Sequence, residues 1–243
     1  MWVVTGISTG LTQGFSIQLS QYYGAKNFEN LRKSLAHSYR LTAFIAAGVL
    51  ILSQSFASLV LTGLHTPSNI IGMSLLYLRI IFCGIPATAA YNMFASALRA
   101  MGNSKTPLTA MIIASVLNVS LDILFVAGFG WGVAGAAIAT VIAQSFSAVY
   151  CFLILRRIDI VHLTRADFMP ASGMNARLMK LGIPVVFQNI IIGVGGLVVQ
   201  YVINGYGFLF VAGFTATNKL YGLLEMAAIS YGYAIVTLSL IHI

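Results

Sequence analysis

Asn118 and Asp122 lie four residues apart inside the apolar run from Thr106 to Phe129. Helical geometry stacks them one above the other on a single face. If the run crosses a membrane, a carboxylate within it costs about 2.5–3.5 kcal/mol on insertion scales, which makes it a functional-site candidate by default. Asp supplies charge and a protonatable group, while Asn and Thr oxygens can complete a Na⁺ shell or hydrogen-bond a protonated carboxyl. Burial disfavours the ion, so proton, cation and substrate can compete at one place. The competing structural role is an acid that hydrogen-bonds a neighbouring helix and only holds a bundle.

Other polar residues in apolar surroundings are less specific. Lys219 and Glu225 lie six apart in the last apolar run, not quite on one face, and suit either substrate contacts in a cavity or a structural charge pair. Gln188 and Asn189 are weaker cavity candidates, and Gln200 lies further along the same run. Arg79 lies near the outer end of its run and can snorkel. His37, His65 and His162 fall in loops or at helix ends and His242 in a C-terminal stretch expected to be artefact; none has metal-ligand spacing, so no metal site is expected beyond a Na⁺ ion at Asp122 and Asn118. Cys83 and Cys151 stand singly in apolar runs and read as packing residues. The glycine-rich patches lack the phosphate-loop pattern. Asp159 and Asp167 are too far apart for the paired acids of a Mg²⁺-dependent intramembrane enzyme, so no enzyme and no cofactor is expected.

The elements that carry these residues follow from composition. Of 243 residues, 59% are hydrophobic and 7% charged, against about a quarter charged in a soluble domain. Such a chain cannot cover a water-facing surface, and the expected fold is an all-α polytopic membrane protein. The net charge of +8 sits in a few loops rather than on one face, which fits membrane topology and excludes a nucleic-acid partner.

Seven apolar runs are legible: Trp2 to Tyr23, Leu41 to Leu61, Met73 to Leu98, Thr106 to Phe129, Gly132 to Leu155, Leu181 to Asn204, and Phe208 to Thr237. Gly6, Gly10 and Gly14 in the first, and Gly132 to Ala137 in the fifth, are small enough for close helix packing. Pro86 and nearby glycines are candidate bending points. Lys and Arg follow the first, third and fifth runs and are absent from the intervening turns, Arg79 and Lys219 excepted. By the positive-inside rule those loops are cytoplasmic. Asp122 then lies about 7 Å past mid-helix, towards the exterior. The stretch 158–180 reads as a cytoplasmic linker along the membrane, between a first half at 1–157 and a second at 181–243.

Several motifs together resemble one family, the multidrug and toxic compound extrusion transporters. They are Gly10 with Gln21-Tyr22-Tyr23-Gly24-Ala25-Lys26, the stretch Ala97 to Pro107, Leu117-Asn118 with Leu121-Asp122, and Gly132 to Thr140. The resemblance covers nearly the whole chain and implies a two-bundle transporter of twelve helices. This chain would supply helices two to eight, with the first bundle nearly complete and the second truncated. Ile7-Ser8-x-Gly10 and Ile229-Ser230-x-Gly232 then fall in the second helix of each half, as a parallel repeat requires. Leu238 to Ile243 matches what a sequencing-library adapter encodes, and is expected to be artefact on a gene fragment that does not transport alone.

The resemblance further implies a cation site from Asp122 and Asn118, with Thr140 and Asn92 from the adjacent helices, and an acid from a first helix not in this chain. Thr140 has the alternative of bonding its own helix backbone. An acid that some members carry in helix seven has no counterpart here. The implied function is an antiporter that exports organic, often cationic, compounds in exchange for H⁺ or Na⁺. The alternative is a flippase for a lipid-linked precursor. The expected partners are small organic substrates and the lipid bilayer, with a monomer when full length, in a bacterial cytoplasmic membrane.

Overall fold

In a computed structural model whose backbone is described for residues 2–63, 68–169, 173–204, 206 and 208–242, the described residues form eight α-helices. They are α1 (Trp2–Gly24), α2 (Phe28–Gly63), α3 (Ser68–Cys83), α4 (Ile85–Ala100), α5 (Lys105–Asp122), α6 (Gly132–Arg156), α7 (Met174–Asn204) and α8 (Phe208–His242). A π-helical segment, Ile123–Gly128, extends α5, and two short 3₁₀ turns, Asp159–Val161 and Arg165–Phe168, lie between α6 and α7. No strand occurs among the described residues. Four helices among them are long and apolar enough to cross a membrane, or five if the bent α3–α4 pair forms one span. Large apolar side chains such as Phe44, Val116 and Ile191 are exposed on the outer faces, as bilayer-facing surfaces require.

Three boundaries differ from the sequence expectation. The basic stretch before Leu41 is not a loop: α2 runs unbroken for 36 residues. Asn27 starts it, its side-chain Oδ1 accepting from the Asn30 N–H at 3.2 Å, and no Gly or Pro interrupts it before Gly48. The third apolar run breaks at Gly84 into α3 and α4, bent by 41°. Pro86, at the start of α4, cannot donate to a continuing helix ladder, and a Cβ at Gly84 would meet Val141 at 2.8 Å. Finally, α7 begins at Met174 rather than Leu181, so the last residues of the expected linker are helical and Pro184 lies inside the helix.

The core lies where α1, α2, α4, α6 and α7 meet, around Phe15, Leu35, Leu98, Leu155 and Leu178. The most extensive seam joins α1 to α7. Gly6, Gly10 and Gly14 form its α1 side: a Cβ at Gly10 would meet the Val186 backbone at 2.9 Å, and one at Gly14 would run into the backbone of Gly182. The three glycines therefore pack helix on helix, as their spacing predicts. Gly135 does the same between α6 and the π segment, where an added Cβ would meet Phe125 at 2.9 Å.

Candidate ion-coupling site

Asp122 is the last α-helical residue of α5, and the backbone widens into the π segment immediately after it. Such widenings interrupt the regular ladder and recur at functional sites. The Asp122 carboxyl oxygen Oδ1 is buried and has no hydrogen-bond partner among the described residues. One turn back, Asn118 Nδ2 donates to Thr140 Oγ1 across the α5–α6 contact, at the long distance of 3.5 Å. The Thr140 hydroxyl donates in turn to Ala136 O at 2.9 Å. The Thr140 hydroxyl thus bonds its own helix backbone, the structural alternative, and also accepts from Asn118.

The small face of α6 makes this approach possible. Gly135, Ala137, Ala139 and Ala143 are all buried, so the two helices lie close enough for short polar side chains to meet. Phe125, Phe129 and Trp131 stack on one another at the outer end of the pair, with centroid separations of 5.1–5.9 Å. Asn92 is half-buried on α4 and makes no hydrogen bond to Asp122, Asn118 or Thr140 among the described residues. The structure thus brings Asn118 to Thr140 and holds Asp122 one turn away, while Asn92 lies on α4, which packs against both α5 and α6.

The weaker candidates scatter. Asn189 lies on the α1–α7 seam, where its Nδ2 donates to Gly6 O at 3.3 Å. Gln188 and Glu225 are exposed on α7 and α8. The side chains of Lys219 and Gln200, and the whole of His65, lie outside the described residues. No cluster of three or more His, Cys, Asp or Glu side chains with metal-binding proximity occurs among the described residues. Separately, an apolar cavity of about 350 Å³ opens between α2, α4 and α6, walled by Tyr39, Phe94, Phe152, Pro86 and several alanines.

Two features had no usable signal in the sequence. The π segment is apolar throughout, Ile-Leu-Phe-Val-Ala-Gly, and reads like any helix end. His37 was expected in a loop or at a helix end, but it lies inside α2 and is 1% exposed. Its position followed once α2 extended back to Phe28, which buried the face carrying Leu31, Ser34, Leu35 and Ser38.

Comparison with known proteins places this arrangement. The MatE family model matches residues 1–124, just over half of the chain. The chain belongs to the MatE family. A probable multidrug resistance protein of Bacillus subtilis, YpnP, is 31% identical over 226 residues, covering 93% of this chain and 51% of that protein. The multidrug export protein MepA of Staphylococcus saprophyticus is 24% identical, covering 90% of this chain and 49% of its own length. This MatE chain therefore spans about half the length of the curated relatives it matches. Among solved structures, a MATE crystal structure in the bent conformation superposes with a TM-score of 0.86 at 20% identity, over 98% of this chain and 53% of that one. An inward-facing MATE family transporter gives 0.73 at 23% identity, over 77% of this chain and 43% of that one. The all-α, multi-pass transporter fold is thereby shown.

Proposed function

We propose that this MatE chain forms part of a secondary antiporter that exports small organic, often cationic, compounds in exchange for H⁺ or Na⁺. One observation carries the reading: a carboxyl oxygen of Asp122 is buried without a partner among the described residues, one turn from the Asn118–Thr140 pair. An unpartnered buried acceptor is unfavourable by about 1–3 kcal/mol, and a proton or Na⁺ relieves that cost. The names of the multidrug relatives support the substrate class.

In this reading residues 1–157 belong to one bundle, 181–243 to a second, and 158–180 connect them on the cytoplasmic side. The α1–α7 seam is where the two bundles meet and where alternating access would open. Asp122 binds the coupling ion, Asn118 and Thr140 supply neutral oxygens, and Asn92 approaches when the bundle tightens around the ion. The test is dye efflux from pump-deficient cells under imposed H⁺ or Na⁺ gradients, using the protein encoded by the native locus. Efflux driven by one of these gradients and abolished in Asp122→Asn is expected; gradient-driven efflux unchanged in that variant would remove Asp122 from coupling.

A further inference from the structure

The apolar cavity of about 350 Å³ between α2, α4 and α6 shares no residue with the ion site. Among the described residues α2 and α6 each pack on α4 but not on one another, so α4 floors a groove between them. Ala46, Ala89 and Met93 are buried in that floor, while Ala43, Ala47, Pro86 and Phe152 on the rim are exposed. The groove therefore opens sideways, beside Phe44, which is 73% exposed on α2. In a membrane-spanning bundle that side is hydrocarbon.

The groove is graded along its length. At its basic end stand Arg40, next to Tyr39 on α2, and Arg156, one turn beyond Phe152 on α6, both exposed. Arg157 is exposed beside them, and no carboxylate pairs with any of the three among the described residues. Arg40 Nη1 donates to Phe168 O at 3.0 Å, and its guanidinium carries further N–H donors. Two residues with hydroxyls come next, Tyr39 and Thr42. Thr42 is 9% exposed, and its Oγ1 has no hydrogen-bond partner among the described residues. Tyr39, Phe94 and Phe152 form a row of rings across the groove, with centroids 5.4 and 5.3 Å apart. Beyond that row the wall is apolar as far as Leu50 and Pro86. From Tyr39 to Leu50 the rise along α2 is about 16 Å, close to the roughly 15 Å hydrocarbon depth of one leaflet.

We infer that the groove holds one acyl chain of an anionic phospholipid. Its phosphate lies at Arg156 and Arg40, its ester carbonyl accepts from the Thr42 and Tyr39 hydroxyls, and its chain lies over Ala46, Ala89 and Met93. The order of charge, hydroxyl and hydrocarbon along the groove matches the order of phosphate, ester and chain along the lipid. An organic cation is a poor match, because no carboxylate lines the cavity and the groove ends in arginines. In a bilayer the chain gains packing rather than hydrophobic burial. Preference among lipids therefore comes from the headgroup, as for basic pockets between transmembrane helices generally. The inference rests on α2, α4 and α6 crossing the membrane and not on transport, so its failure and that of the antiporter reading are distinguishable.

The test uses the protein encoded by the native locus, in phosphatidylcholine nanodiscs that carry a trace of photoactivatable lipid. The probes are phosphatidylglycerol and phosphatidylcholine with the same diazirine midway along one acyl chain. For each labelled peptide the ratio of the two labels is measured. At 39–50 and 86–94 that ratio should exceed the mean of all other labelled peptides by about tenfold or more, since each cation near the headgroup contributes about fivefold. Arg156→Gln should lower the excess about fivefold. Ala47→Phe fills the groove from its exposed rim and should abolish the excess, whereas Phe44→Ala, exposed but outside the cavity, should leave it intact. If Ala47→Phe fails to fold, wild type and Arg156→Gln decide the matter. Absence of the excess in wild type would overturn the proposal and assign the groove to another segment of the protein or to an exported compound. An undiminished excess in Arg156→Gln would overturn it as well.

Discussion

At the scale of single residues, Asp122 and Thr140 carry opposite expectations. Asp122→Asn keeps shape and removes charge, so the protein should still fold while gradient-driven efflux disappears. Thr140→Val keeps shape and removes a hydroxyl that accepts from Asn118 at a long 3.5 Å and donates within its own helix. Because the inter-helix bond is long, its contribution to stability is at the low end, about 0.5 kcal/mol. Thr140→Val should therefore leave thermal stability nearly unchanged. If its oxygen binds the coupling ion, it should weaken that ion's half-saturation about tenfold, read from efflux against Na⁺ or H⁺ concentration. A large loss of stability with unchanged ion dependence would assign Thr140 to packing. Asn118 and Asp122 were legible in the sequence because polar groups in an apolar run stand out. The pairing of Asn118 with Thr140 was not legible from spacing alone, since helix spacing says nothing about which faces of two neighbouring helices meet.

At the scale of elements, glycine contacts separate packing from tolerance. A Cβ at Gly14 collides with the backbone of Gly182, whereas one at Gly48 meets nothing within 4 Å. Backbone cannot swing aside as a side chain can, so Gly14→Ala should destabilise by about 1–3 kcal/mol. Gly48→Ala, in the middle of α2, should stabilise by about 0.5–1 kcal/mol. Melting temperatures in detergent check both, and a neutral Gly14→Ala would mean that α1 and α7 do not sit this close. The helices themselves were legible from hydropathy and loop charge. Their boundaries were less so: the start of α2 was hidden because Lys26 to Arg40 is polar enough to read as loop. The two turns that precede Leu181 in α7 were hidden for the same reason, since basic residues mark a membrane end and not a helix end. The break at Gly84 was foreshadowed by Pro86.

At the scale of the whole molecule, the α1–α7 seam offers a direct handle. A Cβ built on Gly6 lies 3.4 Å from Asn189 Cβ, close to the usual disulfide separation of about 3.5–4.5 Å. With Cys83 and Cys151 replaced, Gly6→Cys with Asn189→Cys should cross-link under mild oxidation. The cross-link should stop efflux and release it on reduction. Efflux that persists in the fully cross-linked protein would show that the bundles do not part along this line. The other long element works differently. An unbroken helix of 36 residues is about 54 Å from end to end, well beyond the roughly 30 Å hydrocarbon layer. On the proposed orientation the first turns of α2 would stand clear of the bilayer, with the linker fastened to them at Arg32, His37 and Arg40. A helix of that length is a lever: one degree of tilt imposed at its cytoplasmic foot displaces its far tip by about 1 Å. On the proposed orientation, a tilt of α2 at the linker would therefore move the opposite end of the same helix.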